Sequence, residues 1–158
     1  DERKKIAEII QAALRDIGIK AEVRMVEWAT LLKEHVRKRN FDVLVLGWGL
    51  GIDPDRYSLF HSSKTRPEDF NIASYANAEV DELLERGRNT CREEDRARAY
   101  HRVHAILADD IPVLFLYHRD SLPVVSSRVR GVKPSASGIM YNFNEWFVPR
   151  GLQRYTAG

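Results

Sequence analysis

The chain has 158 residues, of which 44% are hydrophobic and 30% charged, and its 25 Lys+Arg against 23 Asp+Glu leave a net charge of +2. The length suits one domain or one lobe of a larger protein, and so even a balance of charge excludes a dedicated nucleic-acid binder. Cys91 is the single cysteine, which excludes an internal disulfide and an all-cysteine metal site.

In chain order, Ile6, Ile9, Ile10, Ala13, Leu14 and Ile17 fall on one helical stripe, and Gly18 supplies a left-handed stop. The period then changes to two. Ile19, Ala21, Val23 and Met25 face one way and Lys20, Glu22 and Arg24 the other, which predicts a half-buried strand. A helix near Thr30–Arg39 follows, with Leu31, Leu32, His35 and Val36 inward. Phe41–Leu46 is apolar apart from Asp42 and reads as a buried strand. Asp53-Pro54 resembles a helix start, with Asp as N-cap and Pro at the first helical position.

Ser62–Phe70 carries loop chemistry, and Asn77 caps a helix bearing Val80, Leu83 and Leu84. Thr90-Cys91-Arg92-Glu93 fits a capping box, opening a helix with Ala97, Tyr100, His104, Leu107 and Ala108 inward and Pro112 at its end. Val113–Tyr117 predicts another buried strand and Leu122–Val125 a short one, before a stretch over residues 128–158 that reads as irregular or short-stranded. The order α-β-α-β-α-α-α-β-β implies an α/β layer fold. The first helix has no strand before it, where a βαβ unit begins with one. The expectation is a sheet built around Ile19–Val26, Phe41–Leu46 and Val113–Tyr117, with one position lacking its strand, in a chain that is a piece of something larger.

Gly47-Trp48-Gly49-Leu50-Gly51 follows a predicted strand and precedes a predicted helix. The dinucleotide fingerprint needs a further glycine that is missing, and no phosphate-binding Gly-Lys-Ser/Thr loop is present. Such a glycine-rich segment at a strand's carboxyl end nevertheless offers backbone N–H and C=O groups to a ligand, with a simple packed turn as the bland alternative. Trp28 and Trp48 each follow a predicted strand, so parallel neighbours would bring both rings to one sheet edge as an apolar wall. His101, His104 and His118 are candidate metal ligands without a compelling third spacing. Asp109-Asp110 and the run Arg37-Lys38-Arg39 read as solvated helix ends, and Arg96, Arg98 and Arg102 as a solvated face.

Phe41-Asp42, Gly47-Trp48 and Asp53-Pro54 together resemble the signature of the family 5 extracellular solute-binding proteins, the peptide-binding receptors of ABC importers. Ser74-Tyr75-Ala76-Asn77, Val80-Asp81-Glu82-Leu83-Leu84, Arg96 with Tyr100, Ile111-Pro112-Val113, Val129-Arg130-Gly131-Val132 and Asn144-Glu145-Trp146 extend the resemblance over nearly the whole chain. It implies the carboxyl-terminal lobe of a two-lobed, periplasmic-binding-protein-like fold: a mixed sheet flanked by helices, first strand missing, over residues 1–149, with residues 150–158 as a tail.

The resemblance further implies a binding protein rather than an enzyme, without metal or cofactor, acting in the periplasm or outside the cell, with a lipid anchor on the full-length protein as an option. Its partners would be a peptide or other small solute, the absent amino-terminal lobe and a membrane permease. Trp28, Trp48, Gly49, Leu50, Gly51 and Asp53 are the implied ligand contacts. Peptide-binding relatives place an aspartate between the tryptophan and the Asp-Pro to pair with the peptide's free amine, whereas Gly49-Leu50-Gly51-Ile52 stands here. That departure leaves an amine-blocked peptide, a sugar or another solute open. Two other classes compete: a metal-dependent hydrolase using His101, His104 and His118, and a ligand-sensing domain of a regulator.

Overall fold

A computed structural model describes residues 2–155. Its contacts divide the chain into two units, Asp1–Gly49 with Pro54–Leu114, and Leu50–Asp53 with Phe115–Gly158.

In the first unit, α1 spans Glu2–Asp16. It ends as the sequence predicts: Gly18 takes φ +84°, and Gly18 N and Ile19 N donate to Arg15 O at 2.9 Å and Leu14 O at 2.8 Å. That is the paired closure which satisfies the last carbonyls of a helix. No residue of α1 is buried, and Ile9 remains 69% exposed. The second helix, α2, begins at Trp28 with one α-helical turn, Trp28–Thr30, and continues as a π-helical segment, Leu31–Val36. Glu27 starts it by accepting from Ala29 N at 2.9 Å and Thr30 N at 3.0 Å. Val36 is buried and Leu31, Leu32 and His35 are half-buried, the predicted inner face.

The short helix α3, Tyr57–Phe60, starts later than Asp53-Pro54 suggests. Asp55 Oδ1 accepts from Tyr57 N at 2.9 Å, so a carboxylate nearer the turn takes the capping bond. A 3₁₀ turn, Ser62–Lys64, follows. Helix α4, Ala78–Asn89, is capped by Asn77, whose side chain accepts from Glu79 N and Val80 N. Helix α5 runs over Glu93–Asp110. The expected capping box at Thr90 does not form. Arg92 occupies the cap position without a side-chain capping bond, and the acids Glu93, Glu94 and Asp95 in the first turn complement the helix dipole instead.

The core lies between α4 and α5. Val80, Leu83 and Leu84 meet Ala99, Tyr100, Val103, Ile106 and Leu107, with Phe60 from α3 closing one end. Each fully buried side chain such as Leu84 or Val80 contributes about 1.5–3 kcal/mol. The inner stripe of α5 differs from the one predicted. His104 and Ala108 are exposed, and Ala99, Val103 and Ile106 take their place. Tyr100 and Leu107 belong to both stripes, so the sequence pattern alone does not choose the face; packing on α4 does. Arg96 is likewise no solvated residue: its Nε donates to Gly87 O at 3.0 Å and its guanidinium lies 5.3 Å from the Tyr100 ring.

Among the described residues no β-strand forms. Residues 19–26, 41–46 and 113–117 are irregular, without a ladder, so the expected mixed sheet is not built within residues 2–155. Over residues 19–26 part of the alternation survives: Ala21 and Val23 are half-buried while Lys20, Glu22 and Arg24 are exposed. A strand is completed only by a neighbour that takes its backbone N–H and C=O groups, and alternation does not supply one. The segment predicted as a buried strand over Val113–Tyr117 is largely exposed, with Leu114 at 67% and Phe115 at 66%, and Leu122 in the next predicted strand reaches 88%. No helix among the described residues is long and apolar enough to cross a membrane.

The second unit is held by an antiparallel bridge between Arg130 and Phe147, with N···O distances of 2.8 and 3.1 Å. Gly131 takes φ +81°, and a Cβ there would meet Glu145 O at 2.5 Å. Asn142, only 3% exposed, ties the loop from inside. Its Nδ2 donates to Gly131 O at 2.6 Å, and its Oδ1 accepts from Lys133 N at 3.2 Å and Trp146 Nε1 at 3.0 Å. Gly131 and Glu145-Trp146, separate in the sequence motifs, thus meet here. A 3₁₀ turn at Arg150–Leu152 lies in the expected tail, of which residues 156–158 are outside the described residues.

Candidate functional site

Trp28, Trp48 and Gly49 belong to the first unit, and Leu50, Gly51 and Asp53 to the second. Trp28 is the first residue of α2 and is 52% exposed. The Glu27 carboxylate beside it is held below its ordinary pKa by the backbone N–H groups of Ala29 and Thr30, so it stays charged at the helix start. Arg3 lies over the indole at 5.7 Å, a weak cation–π contact.

Trp48 follows the apolar run 41–46 and is 40% exposed. Its ring meets Phe70 edge to face, with centroids 5.7 Å apart and planes at 89°. Phe70 was not legible as a site residue, because it lies in loop chemistry far along the chain and touches Trp48 only in the fold. The loop that carries it is firmly held. Asn71 is fully buried, donates to His61 O at 3.1 Å and Tyr75 O at 2.9 Å, and accepts from Tyr75 N at 3.0 Å. Arg39 donates to Val36 O at 2.7 Å, Arg66 O at 3.0 Å and Asn71 O at 3.2 Å. Within the run Arg37-Lys38-Arg39, then, Arg39 is a structural fork and not a free cation at a helix end. Lys38 pairs with Glu34 one turn back.

Gly47, Gly49 and Gly51 lie outside the left-handed region, and a Cβ at each would meet open space. Neither a turn nor close packing demands glycine at these positions. The segment exposes its backbone on those sides, and Leu50 and Ile52 are 44% and 66% exposed. Asp53 is exposed in the second unit.

His101 and His104 lie exposed on α5, and His118 is exposed in the second unit. Among the described residues no group of three His, Cys, Asp or Glu is placed to hold a metal ion. Asp110 is not simply solvated: it accepts from Asn77 Nδ2 at 3.1 Å and from the Tyr75 hydroxyl. Burial, followed by the bond to Asp110, pushes the Tyr75 pKa up to about 12. This cluster joins the start of α4 to the end of α5. Cys91 is exposed.

Residues 1–69 match the family described as bacterial extracellular solute-binding proteins, family 5 Middle. The chain is similar to the oligopeptide-binding protein AppA of Bacillus subtilis, 30% identical over 149 residues that cover 94% of this chain and 27% of AppA. It is similar as well to the peptide transport periplasmic protein SapA of Haemophilus influenzae, 31% identical over 147 residues, 91% of this chain and 26% of SapA. Among solved structures, AppA in complex with a nonapeptide superposes with a TM-score of 0.73 over 94% of this chain and 29% of that one, at 30% identity. NikZ from Campylobacter jejuni in complex with Ni(L-His) gives 0.68 over 90% of this chain and 30% of that one, at 25% identity. These neighbours are two-lobed periplasmic-binding proteins. The chain spans about a quarter of the length of the curated relatives it matches. Sequence motifs, the family match over residues 1–69 and the superposition agree in their likeness to the family 5 extracellular solute-binding proteins.

Proposed function

We propose that this chain is the carboxyl-terminal lobe of the substrate-binding component of an ABC importer. It captures a peptide or similar solute against an amino-terminal lobe, in a hinge closure, and the closed receptor delivers the solute to a membrane permease. The observation that carries this reading is the joint likeness in sequence and fold, over 94% of the chain, to an oligopeptide-binding protein whose structure holds a nonapeptide. The receptor works in the periplasm or outside the cell, with a lipid anchor on the full-length protein as part of the same reading. Its role is capture without catalysis, and no metal or cofactor takes part.

In the full-length protein the unpaired segments 19–26, 41–46 and 113–117 join a mixed sheet flanked by helices, and a strand from outside residues 1–158 fills its remaining position. Residues 1–149 make the lobe and residues 150–158 its tail. Trp28 and Trp48 supply exposed aromatic surface. Gly49, Leu50 and Gly51 offer backbone polar groups, to which an extended solute binds as an added strand would. The only carboxylate from residue 49 to residue 53 is Asp53, so the favoured solute lacks a free amine at that end.

The test is native mass spectrometry of the full-length protein purified without refolding. A trapped solute of peptide-like mass, displaced by an added N-acetylated nonapeptide, is the expected result. Release of no small molecule, together with no binding of the nonapeptide in either its free or its N-acetylated form, overturns the reading.

A further inference from the structure

We propose that Phe70 is a specificity-determining ligand contact, forming with Trp48 an aromatic corner for a bulky apolar side chain of the solute, and that Arg39 is its positioning residue. The inference rests on the receptor reading above and adds to it a residue and a chemical preference.

Two observations carry it. The first is the exposure of an aromatic pair in edge-to-face contact. Trp48 and Phe70 pack edge to face at 5.7 Å, yet 40% and 56% of their surfaces remain open. A perpendicular pair leaves the faces of two rings meeting in a corner, and such a corner accepts a flat or branched apolar group on both walls at once. Trp48 closes the apolar run that leads into the glycine-rich segment, so the corner stands where the backbone is open to a ligand.

The second observation is the polar framework behind Phe70. Phe70 lies between Asp69 and Asn71. Asn71 is fully buried with three side-chain hydrogen bonds, and its N–H donates to Lys64 O at 3.0 Å. Arg39 reaches the same turn from the end of α2, bonding Arg66 O and Asn71 O and lying 3.5 Å from Asp69 O. Arg39 itself takes φ +53°, a left-handed conformation that a non-glycine residue keeps only where its surroundings over-determine it. Backbone bonds that close the helix, Arg39 N to Val36 O at 3.2 Å and Asn40 N to His35 O at 2.9 Å, share that task with the guanidinium contacts. An exposed phenylalanine on a loop fixed this firmly loses little freedom when it meets a ligand, which is the property of a preorganised contact.

The experiment uses the full-length protein and two N-acetylated nonapeptide probes, identical except for one central position, Phe in one and Ala in the other. Calorimetry on the wild type is expected to give about tenfold tighter binding of the Phe peptide, the scale of one well-packed aromatic contact. In Phe70→Ala the preference falls below about threefold, while the Ala peptide binds within about twofold of its wild-type affinity; Phe70→Tyr keeps the preference. Arg39→Lys, which keeps the charge and loses the fork, lowers the preference as Phe70→Ala does, and combining the two brings no further loss. A wild type that binds the Phe peptide with Phe70→Ala leaving its preference intact overturns the assignment of Phe70 alone. Equal loss of both peptides in Phe70→Ala assigns the residue to folding and overturns it as well. A wild type that binds neither peptide overturns this inference together with the peptide-binding form of the receptor reading. An additive double variant removes Arg39 from the positioning role.

Discussion

Gly87 provides a sharp test of the core. It lies on α4 facing α5, and an added Cβ would stand 2.6 Å from Tyr100 Cζ, 2.8 Å from Cε1 and 2.9 Å from the hydroxyl oxygen. Carbon atoms pack at about 3.5–4.0 Å, so the overlap is about 1 Å. Tyr100 is 3% exposed and packed among Leu83, Leu84 and Val103, so the ring has no free direction in which to swing. Gly87→Ala gains about 1 kcal/mol of helix propensity. Overpacking a closed site costs about 1–3 kcal/mol, and an overlap of this depth belongs at the top of that range. The net expectation is a loss of about 2 kcal/mol, or about 4–8 °C in Tm for a chain of this size. Urea unfolding followed by circular dichroism reads it as a lower midpoint at unchanged slope. The same substitution in a Tyr100→Leu background, where the ring is gone, should be neutral or stabilising by up to about 1 kcal/mol. If Gly87→Ala alone leaves the midpoint unchanged or raises it, Tyr100 does not pack against Gly87 as closely as these distances require.

Asn71→Ala leaves His61 O, Tyr75 O and Tyr75 N without their partner in the interior; a loss of about 2–4 kcal/mol in urea unfolding is expected, and less than about 1 kcal/mol contradicts the accounting. Tyr75, whose pKa is raised from 10.0 to about 12, favours the folded state while neutral. That contribution is complete below pH 10, is lost as pH rises toward about 12, and disappears from the pH profile of Tyr75→Phe. Gly131→Ala meets both a φ of +81° and Glu145 O at 2.5 Å, so amide exchange at Arg130 and Phe147 should rise by tenfold or more, on the order of 1.4 kcal/mol, while α4 and α5 keep their protection. Gly51→Asp in the full-length protein should shift preference by about tenfold toward a free-amine nonapeptide over its N-acetylated form. A wild type that already prefers the free amine to that extent shows another acid, Asp53 among the candidates, doing the anchoring.

The local features were readable because their causes are local. Gly18 stops α1, and Asn77 caps α4 through bonds to residues two and three ahead, both functions of a few neighbouring residues. The errors lie where two local signals compete or where a distant neighbour decides. Asp53-Pro54 and Thr90 both satisfy start-signal rules, but Asp55 and the three acids after Arg92 lie closer to where the chain turns. On α5 two stripes share Tyr100 and Leu107, and the choice between them is made by Leu83, Leu84 and Gly87 on α4. Phe70 and Arg39 belong to a site candidate only through contacts that span more than twenty residues, which no window of sequence contains.

The predicted strands separate what a sequence states from what a fold needs. Alternation over residues 19–26 and the apolar run 41–46 specify which side chains want burial, and Val43 at 65% exposure shows that want unmet within residues 2–155. A strand's hydrogen bonds and the cover over its faces come from other segments, and the cost of leaving them open is borne by water contact with apolar surface. On the receptor reading that cover comes from the rest of a protein about four times as long, the relation this chain has to AppA and SapA. The helical pair α4 and α5 needs no such help, because each buries its apolar stripe on the other. The fold described here is thus most complete where its contacts are nearest in sequence, and most open along the segments whose partners a sheet recruits from afar.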